Sequence, residues 1–271
     1  INVHKFGGSS LANAQCIERV IDIIRQNCQL NDIIVVSANG KTTDCLFTLL
    51  NLAESTDYTE TLAELEQQQK LLINELLNER NAKQLHTLLA VDIVQLSQWL
   101  SSDLIQHKND ILAYGELWSA RLLSALLNEN TCPSHAIDAR EFLVINNDQE
   151  CSVEHALSSA QLRKQLQFGK LAVITGYISK DSRGKTCTLG RNGSDYSATI
   201  MASLVGAFNV TLWTDVDGIY SADPRSVPNA RKLHRLPNGV AKELGRLGNP
   251  VLHAKTLTPL VNERLSLTCG E

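Results

Sequence analysis

An alternation of short β-branched apolar runs with longer helical patterns constrains this chain most. Ile1–Phe6, Ile33–Ser37, Leu171–Thr175 and Val210–Trp213 are brief runs rich in β-branched residues, each leading into Gly, Ser, Thr or Asp. Runs of that kind are strands buried on both faces, and such strands belong to mostly parallel sheets covered by helices. After Ser10, Ile17, Val20, Ile21 and Ile24 recur at helical spacing and mark one buried face. No Gly occurs from Lys41 to Tyr114, and the first Pro is Pro133. Inside that stretch Leu62, Leu65, Leu72 and Leu76 follow a helical period, as do Leu85, Leu89, Ile93, Leu96 and Leu100. The spacing predicts an all-helical insertion whose leucine stripes serve ordinary packing. Turn signals return near Gly184, Asn192-Gly193, Asp217-Gly218 and Asn238-Gly239. The expectation is an α/β fold with a mainly parallel central sheet, in one domain of two lobes, residues 1–168 and 169–271.

Composition removes several classes of function. The 271 residues carry 25 Lys+Arg against 29 Asp+Glu, a net charge of −4. Such a chain lacks the basic face that nucleic acid phosphates need. No apolar run approaches the ~18 residues of a membrane span. The cysteines (Cys16, Cys28, Cys45, Cys132, Cys151, Cys187 and Cys269) are odd in number and show no CxxC spacing. Reduced thiols in a cytoplasmic protein are expected, without a zinc site. The scattered histidines, His4 and His253 among them, read as structural. A strand begins at Ile1, so no signal peptide is expected. The missing initiator Met and the stop just after the strand-like Leu265–Cys269 suggest a trimmed chain.

The loops after the strands carry the chemistry. Lys5-Phe-Gly-Gly-Ser-Ser10 lies between a strand and a helical pattern. Its glycines let backbone N–H groups approach an anion, a following helix N-terminus favours it, and Lys5 adds a point charge. Val35-Val-Ser-Ala-Asn-Gly-Lys-Thr-Thr-Asp44 mimics the end of a Walker A loop at Gly40-Lys41-Thr42. Val35 stands where that loop needs its first Gly, which argues against a P-loop. The Ser37, Thr42 and Thr43 hydroxyls with Gly40 still suit a substrate or phosphate loop. Tyr114-Gly-Glu-Leu-Trp-Ser-Ala-Arg121 is expected to open a helix, where Glu116 alone would simply complement the dipole. Leu189-Gly-Arg-Asn-Gly-Ser-Asp-Tyr-Ser-Ala-Thr199 sets Arg191 between two glycines, with Ser194 and Asp195 opening a helix. Capping explains the Ser and Asp, but an Arg so placed suits two-pronged binding of a carboxylate or phosphate. Finally, Trp213 ends a strand and is followed by Thr214, Asp215, Asp217, Tyr220, Asp223 and Arg225. In open α/β sheets ligands collect beyond such strand ends.

Taken in order, KFGGSS, VVSANGKTTD, GELWSARL, GRNGSDYSAT, WTDVDGIYSADPR and VLHAKTL resemble the aspartokinases of the amino acid kinase family, from Lys5 to about Leu257. The wording is most similar to the kinase halves of bifunctional aspartokinase–homoserine dehydrogenases of the methionine branch. The resemblance implies a three-layer α/β/α sandwich and the reaction of ATP, with Mg²⁺, on L-aspartate to give 4-phospho-L-aspartate. That step begins the biosynthesis of lysine, threonine and methionine. By position, Lys5, Gly7 and Gly8 match the phosphate-stabilising lysine and glycines. Ser37 and Thr43 fall in the aspartate/phosphate loop. Glu116 matches the group meeting the substrate ammonium, and Arg191 the one meeting its α-carboxylate. Ser194 and Asp195 match the neighbourhood of the catalytic aspartate. Thr214, Asp215, Tyr220 and Arg225 match the nucleotide loop. No regulatory or dehydrogenase region is expected within residues 1–271, and homo-oligomer formation stays open.

The chemistry is consistent with the resemblance. A side-chain carboxylate is ionised at neutral pH, since its pKa is ~3.9, so the nucleophile needs no general base. Catalysis must supply alignment and neutralise charge on the transferring phosphoryl group. Asp195 is accordingly expected to orient Lys5 and the metal, not to abstract a proton. One departure is visible: many aspartokinases read Gly-Ala-Lys-Val-Leu-His where this chain has Gly248-Asn-Pro-Val-Leu-His253. Pro250 replaces a lysine there, so the nucleotide is expected to be held differently. Competing readings are an acetylglutamate or uridylate kinase, and a catalytically silent amino-acid-sensing module of the same fold. Glu116 argues against acetylglutamate, whose amine is blocked, and Lys5, Arg191 and Asp195 argue against silence. A nicotinamide dehydrogenase is disfavoured because no GxGxxG follows a strand.

Overall fold

The computed structural model describes residues 1–54, 57–102, 104–146, 152–190 and 192–213, the isolated positions 227, 229, 231 and 259, and a strand over 266–270. Strands β1 (Val3–Phe6), β2 (Ile33–Val36), β3 (Ser134–Ile137), β6 (Leu171–Thr175), β9 (Asn209–Trp213) and β10 (Ser266–Gly270) form one sheet. Its order is β10-β9-β1-β2-β6-β3, and every pairing is parallel. Strands β4 (Val144–Asn146), β5 (Ser152–Val153), β7 (Ile178–Asp181) and β8 (Thr186–Thr188) build a smaller mixed sheet. Sequence reasoning missed β3 and this second sheet. Those strands are short, and β7 and β8 mix Ser, Thr, Lys and Asp into their pattern.

Period-two alternation divides the large sheet between two cores. Ile34, Val36, Leu171, Val173 and Phe6 face one side, while Val3, Ile33, Val35, Ala172 and Ile174 face the other. The first side packs against α1 (Ala14–Asn27), α2 (Thr42–Ala53), α3 (Thr59–Leu76), α4 (Glu79–Ser102) and α5 (Leu104–Glu129). The second packs against α7 (Gly193–Val205), with Leu162 of α6 (His155–Gln165) beside it. Helices therefore cover both faces of a parallel sheet, as the runs of apolar residues require.

The all-helical insertion is present as α2 to α5, and its leucine stripes pack inward. Among the described residues no helix is long and apolar enough to cross a membrane. None of Cys16, Cys28, Cys45, Cys132 and Cys187 forms a disulfide among the described residues. His4 is a core residue: it stacks on Trp213 and accepts a hydrogen bond from its indole Nε1 at 3.2 Å.

Two local readings change. Helix α1 starts only at Ala14, where Asn13 accepts a hydrogen bond from the Cys16 N–H, and Ser9–Leu11 form a 3₁₀ turn between it and the glycines. The Gly7-Gly8 turn therefore does not open an α-helix directly. Glu116 lies in the middle of α5, not in a first turn, because the helix runs unbroken through Gly115. The helix-dipole explanation for Glu116 falls with that observation.

Candidate active site

The site lies beyond the carboxyl ends of β1, β2 and β6. Strand order reverses around β1, with β2 on one side and β9 on the other, and ligands in open α/β sheets bind at such a reversal. Alternation along β1 puts Phe6 on the α1 side and aims Lys5 toward α7. The Lys5 ammonium meets Asp195 Oδ1 at 2.5 Å, with both side chains only partly exposed. It also lies directly over the glycine turn, since a Cβ built on Gly7 would fall 3.3 Å from Lys5 Nζ. A larger residue there would press on the charge. Gly8 meets the next loop, its carbonyl accepting from the Gly40 N–H at 3.0 Å.

Helix α7 reaches Lys5 because small residues let it settle onto the strand ends. A Cβ on Gly176 would lie 2.8 Å from both Ser194 Cβ and the Val36 carbonyl oxygen. Ser197 Oγ donates to the Gly193 carbonyl and accepts from the Tyr177 N–H, each at 2.9 Å, locking the β6–β7 turn to the first turn of α7. Asn192, in the left-handed region at φ 56°, precedes that turn. Ser194 is buried and Asp195 half-buried, so the helix N-terminus and a lysine converge on one spot suited to an anion.

Glu116 closes the other side. Helix α5 approaches the loop after β2 so closely that a Cβ on Gly115 would lie 2.7 Å from Ala38 Cβ. Glu116 is 2 % exposed. Its Oε1 accepts a long hydrogen bond of 3.4 Å from the Ala38 N–H, and its Oε2 is buried without a partner. Burial pushes the Glu116 carboxyl up to about 8. Tyr177 stands within electrostatic reach: burial raises its pKa, and the Glu116 charge adds to the effect. A buried carboxylate with an open oxygen is costly unless a cation meets it.

Of the residues singled out from the sequence, the structure brings Lys5 and Asp195 together over the Gly7-Gly8 turn, with Ser194 packed against Gly176. Glu116 stands against the loop bearing Ser37, and Thr43 lies on the first turn of α2. Arg191, Thr214, Asp215, Tyr220, Arg225 and Pro250 lie outside the described residues. Gly115, Gly176 and Tyr177 escaped sequence reasoning. Gly176-Tyr177 carried a usable signal, since it follows a buried strand as Gly7-Gly8 does after β1. No group of three or more His, Cys, Asp or Glu residues among those described could hold a metal by itself. Mg²⁺ usually needs only one or two carboxylates beside phosphate and water oxygens, a sparse set that Asp195 fits.

Comparison with known proteins agrees with this architecture. Residues 1–269 match the model of the amino acid kinase family. The chain is 42% identical over 98% of its length to bifunctional aspartokinase/homoserine dehydrogenase 2 of Escherichia coli K12, and covers 33% of that protein. It is 30% identical over its full length to lysine-sensitive aspartokinase 3 of the same organism, covering 61% of it. The structure of E. coli aspartokinase III with aspartate and ADP superimposes with a TM-score of 0.85 at 29% identity, over 99% of this chain and 62% of that one. The chain thus spans about a third of the bifunctional relative. With the parallel sheet, the glycine turn and the matching family model in agreement, the chain belongs to the amino acid kinase family.

Proposed function

We propose that this chain transfers the γ-phosphate of ATP to the side-chain carboxylate of L-aspartate, giving 4-phospho-L-aspartate and ADP. The observation that carries the reading is Glu116, buried with Oε2 unpartnered at the end of the sheet that holds the Lys5–Asp195 pair. Its open oxygen suits the ammonium of a free amino acid, and Arg191 supplies the cation for the α-carboxylate. With both ends held, the side-chain carboxylate points toward Lys5 and the glycine turn. The E. coli aspartokinase III structure solved with aspartate and ADP supports the same pair of ligands.

Each residue then has a defined task. Aspartate arrives ionised and needs no base. Lys5, with backbone N–H groups of Gly7 and Gly8, neutralises charge on the transferring group, the main catalytic demand of phosphoryl transfer. Asp195 holds Lys5 in place and supplies a carboxylate for Mg²⁺, which when bound neutralises phosphate charge. Ser37 and Thr43 line the acceptor side, and Ser194 stands at the anion end of α7. Thr214, Asp215, Tyr220 and Arg225 hold the nucleotide. In this reading residues 1–168 contribute mainly to the substrate lobe and 169–271 to the nucleotide lobe. ADP release measured across a panel of amino acids and acylated amino acids tests the proposal. Turnover with L-aspartate alone supports it, and no turnover with any acceptor would favour a silent sensing module instead.

A further inference from the structure

Strand β1 carries one titratable side chain on the face opposite Lys5. His4 is buried there and bridges two groups from separate elements. On one side its Nδ1 accepts a hydrogen bond from Trp213 Nε1 at 3.2 Å, and the two rings stack with centroids 6.2 Å apart. On the other its Nε2 stands 3.6 Å from Asp32 Oδ2 and is buried without a hydrogen-bond partner. Asp32 is fixed by the backbone: its Oδ1 accepts from the Asn2 N–H at 2.7 Å, and its Oδ2 from the Gln29 N–H at 2.8 Å. Helix α1 covers this face with apolar residues, while its Glu18, Arg19, Asp22 and Arg25 are exposed. Cys28, in electrostatic reach of Asp32, stays neutral, since burial and then the Asp32 charge push its thiol up to about 12.

The two contacts make opposite demands on the ring. Accepting from Trp213 requires a bare Nδ1, so the neutral ring carries its proton on Nε2, toward Asp32. A second proton sets the N–H groups of His4 and Trp213 against each other, while the Asp32 carboxylate favours the charged ring. The hydrogen bond to Trp213 therefore exists only with neutral His4. Where the indole stands gives this bond its consequence. Trp213 pairs in register with Phe6, stacks on that ring at 6.0 Å and ends β9 beside the Gly7-Gly8 turn. Thr214 and Asp215 follow it directly. We infer that His4 is a positioning residue for the nucleotide, acting through Trp213: the neutral ring fixes the end of β9, and protonation frees the indole and weakens nucleotide binding. This role rests on the nucleotide assignment proposed above for the residues after Trp213.

Its test needs no turnover. Tryptophan fluorescence of the full chain is followed from pH 8 to pH 5, and ADP is titrated calorimetrically at both ends of that range. The parent is compared with His4→Asn and Trp213→Phe. Asparagine sets an acceptor that does not titrate near the place of Nδ1, so it should keep the hydrogen bond at every pH. Parental emission should change across the range, and neither variant should show that change. The ADP affinity of the parent should fall by about three- to tenfold more than that of His4→Asn, the equivalent of one net hydrogen bond. The nucleotide's own titration cancels in that comparison. His4→Asn or Trp213→Phe reproducing the parental emission change would overturn the inference, as would a parallel fall in ADP affinity for the parent and His4→Asn. Failure of ADP to bind any of these proteins at pH 8 would refute the proposed function, and the nucleotide role of His4 with it, whatever the fluorescence shows.

Discussion

Replacing Glu116 with glutamine should stabilise the free protein at neutral and alkaline pH while abolishing its use of aspartate. Burial raises this carboxyl from 4.5 to about 8 in the fold. Its folded pKa lies above its unfolded one, so the folded state holds the proton more tightly. The resulting contribution to stability is complete below about pH 4.5 and is lost as pH rises through about 8. A tenfold difference in proton affinity is worth about 1.4 kcal/mol, so the loss between pH 6 and pH 8 amounts to about 2 kcal/mol. Glutamine keeps the shape and the hydrogen-bonding oxygen but never ionises. Urea unfolding of both proteins at several pH values gives the comparison, because other titrating groups cancel in the difference. The wild type should fall relative to the variant by about 2 kcal/mol over that interval. Aspartate should also displace a proton from wild-type Glu116 at pH 7, visible as buffer-dependent binding enthalpy. Parallel stability curves for the two proteins would refute the claim that the empty site holds Glu116 protonated.

Other substitutions probe the remaining parts. Lys5→Ala should lower kcat by about 10²–10³ with little change in either KM, because a preorganised donor at the phosphoryl group is lost; steady-state kinetics decide. A variant keeping half of the parental rate would remove Lys5 from the chemistry. Gly115→Ala forces a Cβ to 2.7 Å from Ala38 Cβ. Overpacking of that kind costs about 1–3 kcal/mol against a helix-propensity gain of about 1 kcal/mol, so melting temperature should fall and the KM for aspartate rise. Arg191→Lys keeps the charge and loses the two-pronged geometry, so the KM for aspartate should rise roughly ten- to a hundredfold. A change confined to ATP would assign Arg191 to the nucleotide side.

The sequence made the frame legible where one physical signal dominated. Leu171–Thr175 is readable as a strand because it is buried on both faces, and α2 to α5 because no Gly or Pro interrupts them before Gly115. The edge strand β3 and the second sheet are not readable, since short strands with one polar face resemble loops. Lys5, Ser194 and Asp195 can be chosen from their loops, yet the Lys5–Asp195 pairing joins residues far apart in the chain and follows only from the packing of α7 on β1. Glu116 reads in the sequence as a helix-start acid, because helix length cannot be judged across Gly115 from propensity alone. Its lack of a partner for Oε2 is a property of the packed core, visible only once Gly115 brings α5 against Ala38.

The central claim is that a free ammonium, held by Glu116, selects the acceptor whose side-chain carboxylate is phosphorylated. Its most direct test incubates the protein with ATP, Mg²⁺ and hydroxylamine, and compares L-aspartate with N-acetylaspartate. Acylation makes the ammonium a neutral amide, so Glu116 keeps its proton and the charge-assisted contact, worth about 1.5–3 kcal/mol, is lost. The β-hydroxamate of aspartate should accumulate, and the N-acetyl compound should yield roughly ten- to a hundredfold less. Equal trapping from both acceptors would contradict the account and take Glu116 out of substrate recognition.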